Sequence, residues 1–157
     1  MRHTIQVLVE NKFGVLARIA SLFSARGYNI DSLAVGETQD PQTSCMTIVV
    51  NAQDERILEQ IKKQLHKLID VITVVDLTRK GYLDRELILF KVRKSGEAGA
   101  LLSGLAEKGS LKLLEDKDDY LLAEICAGHN QLEETMREIK KLEVIELVRT
   151  GKIAIGI

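Results

Sequence analysis

The 157-residue sequence contains no tryptophan, a single proline and only 4% aromatic residues. A hydrophobic core must therefore be built from Val, Ile, Leu and Ala rather than around large aromatic rings. No apolar run approaches the roughly 20 residues that a membrane-spanning helix needs. The first residues also lack the layout of a signal peptide, so we expect no membrane association and a cytoplasmic location.

An excess of charge of one sign is also absent, because 22 Lys and Arg oppose 23 Asp and Glu. Proteins that bind nucleic acid usually show a basic surplus, so we expect no nucleic-acid partner. A hydrophobic content of 45% supports a folded core and argues against global disorder. The two cysteines, Cys45 and Cys126, lie in apolar strand-like runs, where buried thiols are expected in preference to a disulfide or a metal pair.

Catalytic and metal-binding patterns are missing as well. His3, His66 and His129 lie in different segments, and none has a Cys, His or carboxylate at the spacing of a metal ligand. The acidic stretch 115–119 lacks the ligand spacing of a calcium loop and reads as a solvated turn. Phosphate-binding glycine loops and nucleophile motifs do not occur. We therefore predict a protein without catalytic residues and without a metal site.

In the first half of the chain, the spacing of apolar residues distinguishes strands from helices. It predicts strands at Thr4–Glu10, Asn29–Val35, Ser44–Ala52 and Val71–Leu77, a helix from Gly14 to Arg26–Gly27, and a second helix from the cap Asp54 to Leu68. The order β-α-β-β-α-β predicts an antiparallel sheet with both helices on one face. Right-handed crossovers then give the strand order 4-1-3-2.

The second half repeats this order less sharply. Strands are predicted at Arg85–Val92, Lys112–Glu115, Tyr120–Ala127, Val144–Val148 and Lys152–Ile157, and helices at Ala98–Lys108 and Gln131–Leu142. The expected fold class is α+β, with two ferredoxin-like βαββαβ units whose sheets are antiparallel. We expect a first domain at 1–78, a linker at 79–83 and a second domain at 84–157.

One loop, Asn11–Gly14, stands out from the background. It joins the first strand to the first helix, and a helix N-terminus offers unpaired N–H groups to an anion. Gly14 would let a carboxylate approach the backbone, and Asn11 supplies an amide donor and acceptor. A plain strand–helix turn, with Asn and Gly serving local geometry, remains the alternative interpretation.

The second strand, which follows Asn29, is an edge strand in the predicted order. The segment 29–35 has no proline and a single charge, and such an edge invites pairing with another copy of the chain. Two-fold pairing would bring Asn29 of one chain near the Asn11–Gly14 loop of the other. The combined site would suit a small amino acid.

These residues are also the ones that resemble a known family. Val9-Glu10-Asn11 with Phe13-Gly14-Val15-Leu16-Ala17-Arg18, the run RGYNIDSL at 26–33, and Leu58–Leu68 resemble the ACT domain of the small regulatory subunit of acetolactate (acetohydroxyacid) synthase. In the second half, Arg85-Glu86-Leu87 and Val148-Arg149-Thr150-Gly151 resemble that family's second domain.

The resemblance implies a function in branched-chain amino-acid biosynthesis. It implies a homodimer through ACT edge strands that binds the catalytic large subunit, activates it and confers feedback inhibition by valine. Thiamine diphosphate, FAD and Mg²⁺ would belong to that catalytic subunit, and this chain would bind no cofactor. The implied effector site comprises Asn11, Lys12, Phe13, Gly14, Val15 and Leu16 of one chain with Asn29 and Ile30 of its partner.

Two other functions stay open on the sequence. A stand-alone ACT-type sensor could regulate a different enzyme or a transcription factor. A small ferredoxin-like enzyme such as an acylphosphatase would use an Arg and an Asn around a phosphate loop. Arg18 and Asn11 are present, but the surrounding motif is not.

Overall fold

The computed structural model describes residues 2–52, 55–109 and 111–157. Its strands are Arg2–Glu10 (β1), Ile30–Glu37 (β2), Thr43–Asn51 (β3), Val71–Asp76 (β4), Tyr82–Arg93 (β5), Leu111–Asp116 (β6), Tyr120–Ala127 (β7), Val144–Arg149 (β8) and Ile153–Gly156 (β9). Its helices are Val15–Ser24 (α1), Glu55–Leu65 (α2), Gly96–Glu107 (α3) and His129–Ile139 (α4). The chain forms two compact units, one of residues up to Leu83 together with Lys152–Ile157, and one of Asp84–Gly151.

The sheet of the first unit has the order β2-β3-β1-β4, which confirms the predicted arrangement and leaves β2 at an edge. All of its strand pairs are antiparallel. Alternate residues of β1, namely Ile5, Val7 and Val9, are fully buried in one cluster with residues of both helices, including Phe23 and Leu58. The buried alternate residues of β1 and the buried faces of the two helices thus form a single core.

Helix α1 begins and ends at glycines in the left-handed conformation. Gly14 has φ +81° at the N-terminal boundary, and Gly27 has φ +67° just beyond the last turn. Arg26 Nη1 donates to the carbonyl oxygen of Leu22 at 3.3 Å. The predicted glycine is thus found in the left-handed conformation, but the helix ends earlier than predicted, because α1 stops at Ser24 with Ala25 as its C-cap and Arg26 lies beyond its last turn. Asp54, the predicted cap of α2, lies outside the described residues.

The second unit repeats the topology with the order β6-β7-β5-β8. Its core contains Ile88 and Phe90 of β5 together with Leu102 and Leu132 of the two helices. At the end of β8, Arg149 donates from Nε and Nη2 to the two carboxylate oxygens of the buried Glu86 on β5, at 2.7 and 2.9 Å. Hydrogen bonding to Glu86 raises the pKa of Arg149, and this fork-shaped pair fixes β8 against β5.

The unit boundaries differ from the predicted domain boundaries at two places. Tyr82 and Leu83, assigned to the linker, already belong to β5. Residues 152–157, assigned to the second domain, pack in the first unit. Their hydrogen bonds to this unit include Gln6 Nε2 to Ala154 O at 3.1 Å, Lys152 N to Ser32 Oγ at 2.9 Å, and Ile157 N to Gly81 O at 2.8 Å.

The cysteines are free, and the prediction that both are buried is wrong for Cys126, which is exposed. On β7 the core receives Ile125 and Ala127, so the intervening Cys126 points to the opposite face. Cys45 is half-buried, and burial raises the pKa of its thiol while a hydrogen bond with Gln6 opposes that effect.

No helix in the described ranges combines the length and the apolar content needed to cross a bilayer.

Candidate functional site

The loop between β1 and α1 is held from both sides by backbone hydrogen bonds. Asn11 N donates to Gln42 O of the β2–β3 hairpin at 2.7 Å. Glu10 N donates to Asp70 O, just before β4, at 2.9 Å. The loop therefore has a defined position at one end of the sheet, set by the elements on either side of β1.

The Asn11 side chain has a fixed orientation. Its Nδ2 donates to Glu37 Oε1 at 3.1 Å and to Pro41 O at 2.9 Å. Both neighbours are pure acceptors, so the nitrogen must face them and both of its hydrogens are used. The amide oxygen Oδ1 has no donor among the residues that the structure describes, and it remains available to accept a hydrogen bond from a ligand.

The first turn of α1 supplies free donors beside this oxygen. Val15 N donates to Lys12 O at 3.3 Å, and Arg18 N donates to Gly14 O at 3.0 Å. Within residues 2–52, 55–109 and 111–157, the N–H groups of Gly14, Leu16 and Ala17 have no acceptor. These are the unpaired donors expected at a helix N-terminus, and they favour an anion there.

Arg18 is a component of this site that the sequence reasoning missed. Its Nε and Nη2 each lie 2.8 Å from Oδ2 of the buried Asp70. Its Nη1 lies 3.1 Å from the place where a Cβ on residue 14 would be. The signal was available, because residue 18 follows Gly14 by one helical turn and lies above it on the same face. A buried carboxylate thus holds a guanidinium beside the free N–H groups.

The other predicted loop residues divide between core and surface. The Val15 side chain is buried in the core of the first unit, so only its backbone belongs to the loop. Phe13 is fully exposed and Leu16 is 44% exposed. Lys12 Nζ binds Glu10 Oε2 at 2.7 Å, and hydrogen bonding to Glu10 raises the Lys12 pKa. Phe13 and Leu16 are therefore the apolar side chains available to a ligand at this loop.

Asn29 and Ile30 lie at the far end of β2 from the loop of the same chain. Glu37, which contacts Asn11, ends β2, whereas Ile30 begins it. Seven residue steps of strand span about 23 Å. Asn29 Nδ2 donates to Asp31 Oδ1 at 2.8 Å. One chain therefore brings Asn11, Lys12, Phe13, Gly14 and Leu16 together, and it does not bring Asn29 and Ile30 to them.

The arrangement has the donors and acceptors that an amino-acid headgroup requires. A carboxylate fits the N–H groups near Gly14 and Nη1 of Arg18, and Asn11 Oδ1 can accept from an ammonium group. No set of three or more His, Cys, Asp or Glu side chains in the described part of the chain could hold a metal ion.

Two family models match the chain side by side. Residues 5–73 match the "AHAS small subunit-like ACT domain", and residues 85–157 match the "Small subunit of acetolactate synthase". The first match includes the Asn11–Leu16 loop and Asn29, and the second includes Glu86 and Arg149.

Similar proteins of known sequence and structure agree with these matches. The chain is 40% identical to the probable acetolactate synthase small subunit of Archaeoglobus fulgidus, covering 98% of this chain and 96% of that protein. It is 35% identical to the acetolactate synthase isozyme 3 small subunit of Escherichia coli, covering 99% and 96%. The crystal structure of the acetolactate synthase small subunit from Thermotoga maritima matches with a TM-score of 0.86 at 31% identity, over 100% of this chain and 98% of that one. The chain therefore belongs to the acetolactate synthase small-subunit family.

Proposed function

We propose that this chain is the non-catalytic regulatory subunit of acetolactate synthase in branched-chain amino-acid biosynthesis. It binds the catalytic large subunit, activates it and confers feedback inhibition by valine. The thiamine diphosphate, FAD and Mg²⁺ of the reaction belong to that partner, and the complex acts in the cytoplasm. Membership of the small-subunit family supports the identity of the partner. The fixed positions of Asn11 and Arg18 support the binding of an amino-acid effector at this loop.

The loop provides half of the valine site. The effector carboxylate docks against the free N–H groups of Gly14, Leu16 and Ala17, where the helix dipole favours negative charge. Nη1 of Arg18 adds a charge-assisted donor. The Asn11 amide oxygen accepts from the ammonium group, because its nitrogen is already held by Glu37 and Pro41.

A second copy provides the other half. The edge strand β2 has the loop contact Glu37 at one end and Asn29 at the other. Antiparallel pairing of β2 with β2 of a second copy about a two-fold axis places opposite ends side by side. Each Asn29 and Ile30 then approaches the loop of the other chain. This homodimer explains why the two groups of residues are separated by the length of a strand within one chain.

Valine can regulate the partner only through a difference in binding. It must bind one arrangement of the dimer or of the complex better than another, since equal affinity shifts no equilibrium. A coupling free energy of about 1–3 kcal/mol between effector and catalytic subunit is typical of such systems. Leucine and isoleucine differ from valine by a methylene group or by branching, which changes the binding free energy by about 1–3 kcal/mol.

The direct test mixes the chain with the catalytic subunit and follows acetolactate formation while valine is titrated. We expect stimulation without valine and loss of the stimulated rate with it. Asn11→Ala, Gly14→Asp and Asn29→His should abolish the valine effect and keep the stimulation, since all three changes lie at the proposed effector site. Asn130→Ala and Gly104→Asp, on helices α4 and α3, serve as controls that should keep both.

Each failure has a distinct meaning. No stimulation by the wild-type chain would remove the acetolactate synthase assignment. Valine binding that persists in calorimetry under those conditions would then favour a stand-alone amino-acid sensor. Stimulation with unchanged valine sensitivity in all three loop and strand variants would show that the effector site lies elsewhere.

A further inference from the structure

An open groove lies between α1 and the end of α2 in the first unit, with a volume of about 450 Å³. Ala17 and Ser21 of α1 are among its lining residues, and both side chains are small. Three cations, Arg18, Arg26 and Lys67, line it, and no carboxylate is among its lining residues. The groove is thus basic on the surface of a chain whose net charge is −1.

Two of these cations have no acidic partner in the described part of the chain. Arg26 is oriented by neutral groups, because Nη2 donates to Gln64 Oε1 at 2.8 Å and Nη1 donates to Leu22 O at 3.3 Å. Lys67 is exposed and forms no ion pair with any described residue. Arg18 shares its charge with Asp70. Of the three cationic side chains, Arg18 is therefore the one that forms an ion pair with a described residue.

The two arginines of the groove are held by different partners. They are eight residues apart along α1 and its C-terminal turn, which separates their Cα atoms by about 12 Å. Arg18 is directed to Asp70, whereas Arg26 is directed to Leu22 and Gln64. A protein segment with carboxylates about two helical turns apart matches both, and the openness of the groove admits such a segment.

We propose that this groove is a docking surface for an acidic segment of the partner enzyme subunit. The proposal rests on the proposed function for the identity of that subunit. Arg18 faces the effector loop with Nη1 and also lines the groove, so both sites share one guanidinium. An anion at either position changes the electrostatic environment of the other through this side chain. The groove is therefore a surface through which the effector loop can influence the catalytic partner.

The test uses charge reversal at Arg26 and Lys67, which are not part of the effector loop. Binding of the full-length chain to the catalytic subunit is measured by biolayer interferometry at two salt concentrations. The double variant R26E/K67E should weaken binding at least tenfold and reduce its salt dependence, because surface charges steer and hold complementary partners. The neutral variant R26Q should show a smaller effect of the same sign.

The matched control is R137E/K140E, which reverses one exposed arginine on α4 and the exposed lysine at its C-cap. It should bind within twofold of the wild type. Circular dichroism and calorimetric valine binding by each variant alone report whether the fold and the effector site survive. Valine binding should be retained in R26E/K67E.

Three results would overturn the proposal. The first is R26E/K67E binding to the catalytic subunit within twofold of the wild type. The second is an equal loss in R137E/K140E, which would show a general charge effect. The third is tight binding of tripolyphosphate to the wild type that R26E/K67E abolishes without changing affinity for the subunit, which would make the groove a small-anion site. Absence of wild-type binding to the subunit would instead reject the proposed function itself, and the docking surface with it.

Discussion

Arg18 and Gly14 lie next to each other at the start of α1, with one guanidinium nitrogen beside the glycine backbone. The buried carboxylate of Asp70 holds two nitrogens of the guanidinium, and the third nitrogen is left beside the Gly14 backbone. Gly14 keeps its α-carbon bare at a φ of +81°, which L side chains rarely adopt. The pair thus leaves a gap next to a cation, and a carboxylate fits such a gap.

Replacing Gly14 by alanine should lower the free energy of unfolding by about 1–2 kcal/mol, because a Cβ is strained at this φ. The steric part is small, since the nearest atom is Nη1 of the flexible Arg18 at 3.1 Å. Urea denaturation followed by circular dichroism measures the change. Gly104→Ala, inside α3, is the matched control. A Cβ added at Gly104 would meet nothing within 4 Å beyond its own helix. This change should raise the free energy of unfolding by up to about 1 kcal/mol. Equal stability of Gly14→Ala and the wild type would contradict the strain argument.

The residues of the loop also show how far sequence reasoning reaches. The bare backbone at Gly14 and the helix start were predicted, because both follow from local rules. The Arg18–Asp70 contact was not, because it joins residues 52 positions apart and depends on the packing of α1 against the turn before β4. For the same reason the orientation of Asn11 was open, since Glu37 and Pro41 arrive from a hairpin distant in sequence.

At the scale of elements, strand β2 has the most consequence for function. It pairs with β3 on one side and lies at the sheet edge on the other. Val35 is 45% exposed on this strand. The order of elements was predictable because apolar periods and crossover handedness leave few choices. The orientation of Cys126 was not predicted, since an apolar run does not reveal which of its residues face the core until the register of β7 is known.

Val35→Lys should convert the proposed homodimer into monomers, because a charge on an edge strand opposes strand pairing. Size-exclusion chromatography with light scattering gives the mass directly. Thr73→Lys places the same charge on β4, the opposite edge of the same sheet, and should leave the dimer intact. A Val35→Lys protein that stays dimeric would place the two-fold contact on another surface, and the two-chain effector site would lose its basis.

The whole molecule consists of two units with the same strand order, 4-1-3-2, within each of them. The repetition was predicted from the order of elements, although residues 1–83 show little identity to the rest. The membership of residues 152–157 in the first unit was not predicted. A single sequence gives no signal for a strand that returns across nearly the whole chain, because its partners Gln6 and Ser32 are more than 100 positions away.

Deleting residues 152–157 should destabilise the first unit. The deletion removes the hydrogen bonds at Gln6, Ser32 and Gly81, and each contributes about 0.5–1.5 kcal/mol. Hydrogen exchange should accelerate at the amides of β1 and β2, whereas amides of β7 keep wild-type protection. Unchanged exchange in β1 and β2 would mean that the returning strand adds nothing to the unit it joins.

The returning strand also orders events during biosynthesis. The ribosome releases residues 2–83 first, then the 84–151 unit, and only then the segment that joins the first unit. At about 5–20 residues per second, that segment follows Leu83 by roughly 4–14 s. During this interval the nascent chain exposes β2 while its sheet still lacks the hydrogen bonds of Ala154 and Lys152. The first unit therefore completes its hydrogen bonds at Gln6 and Ser32 only after the second unit has been synthesised.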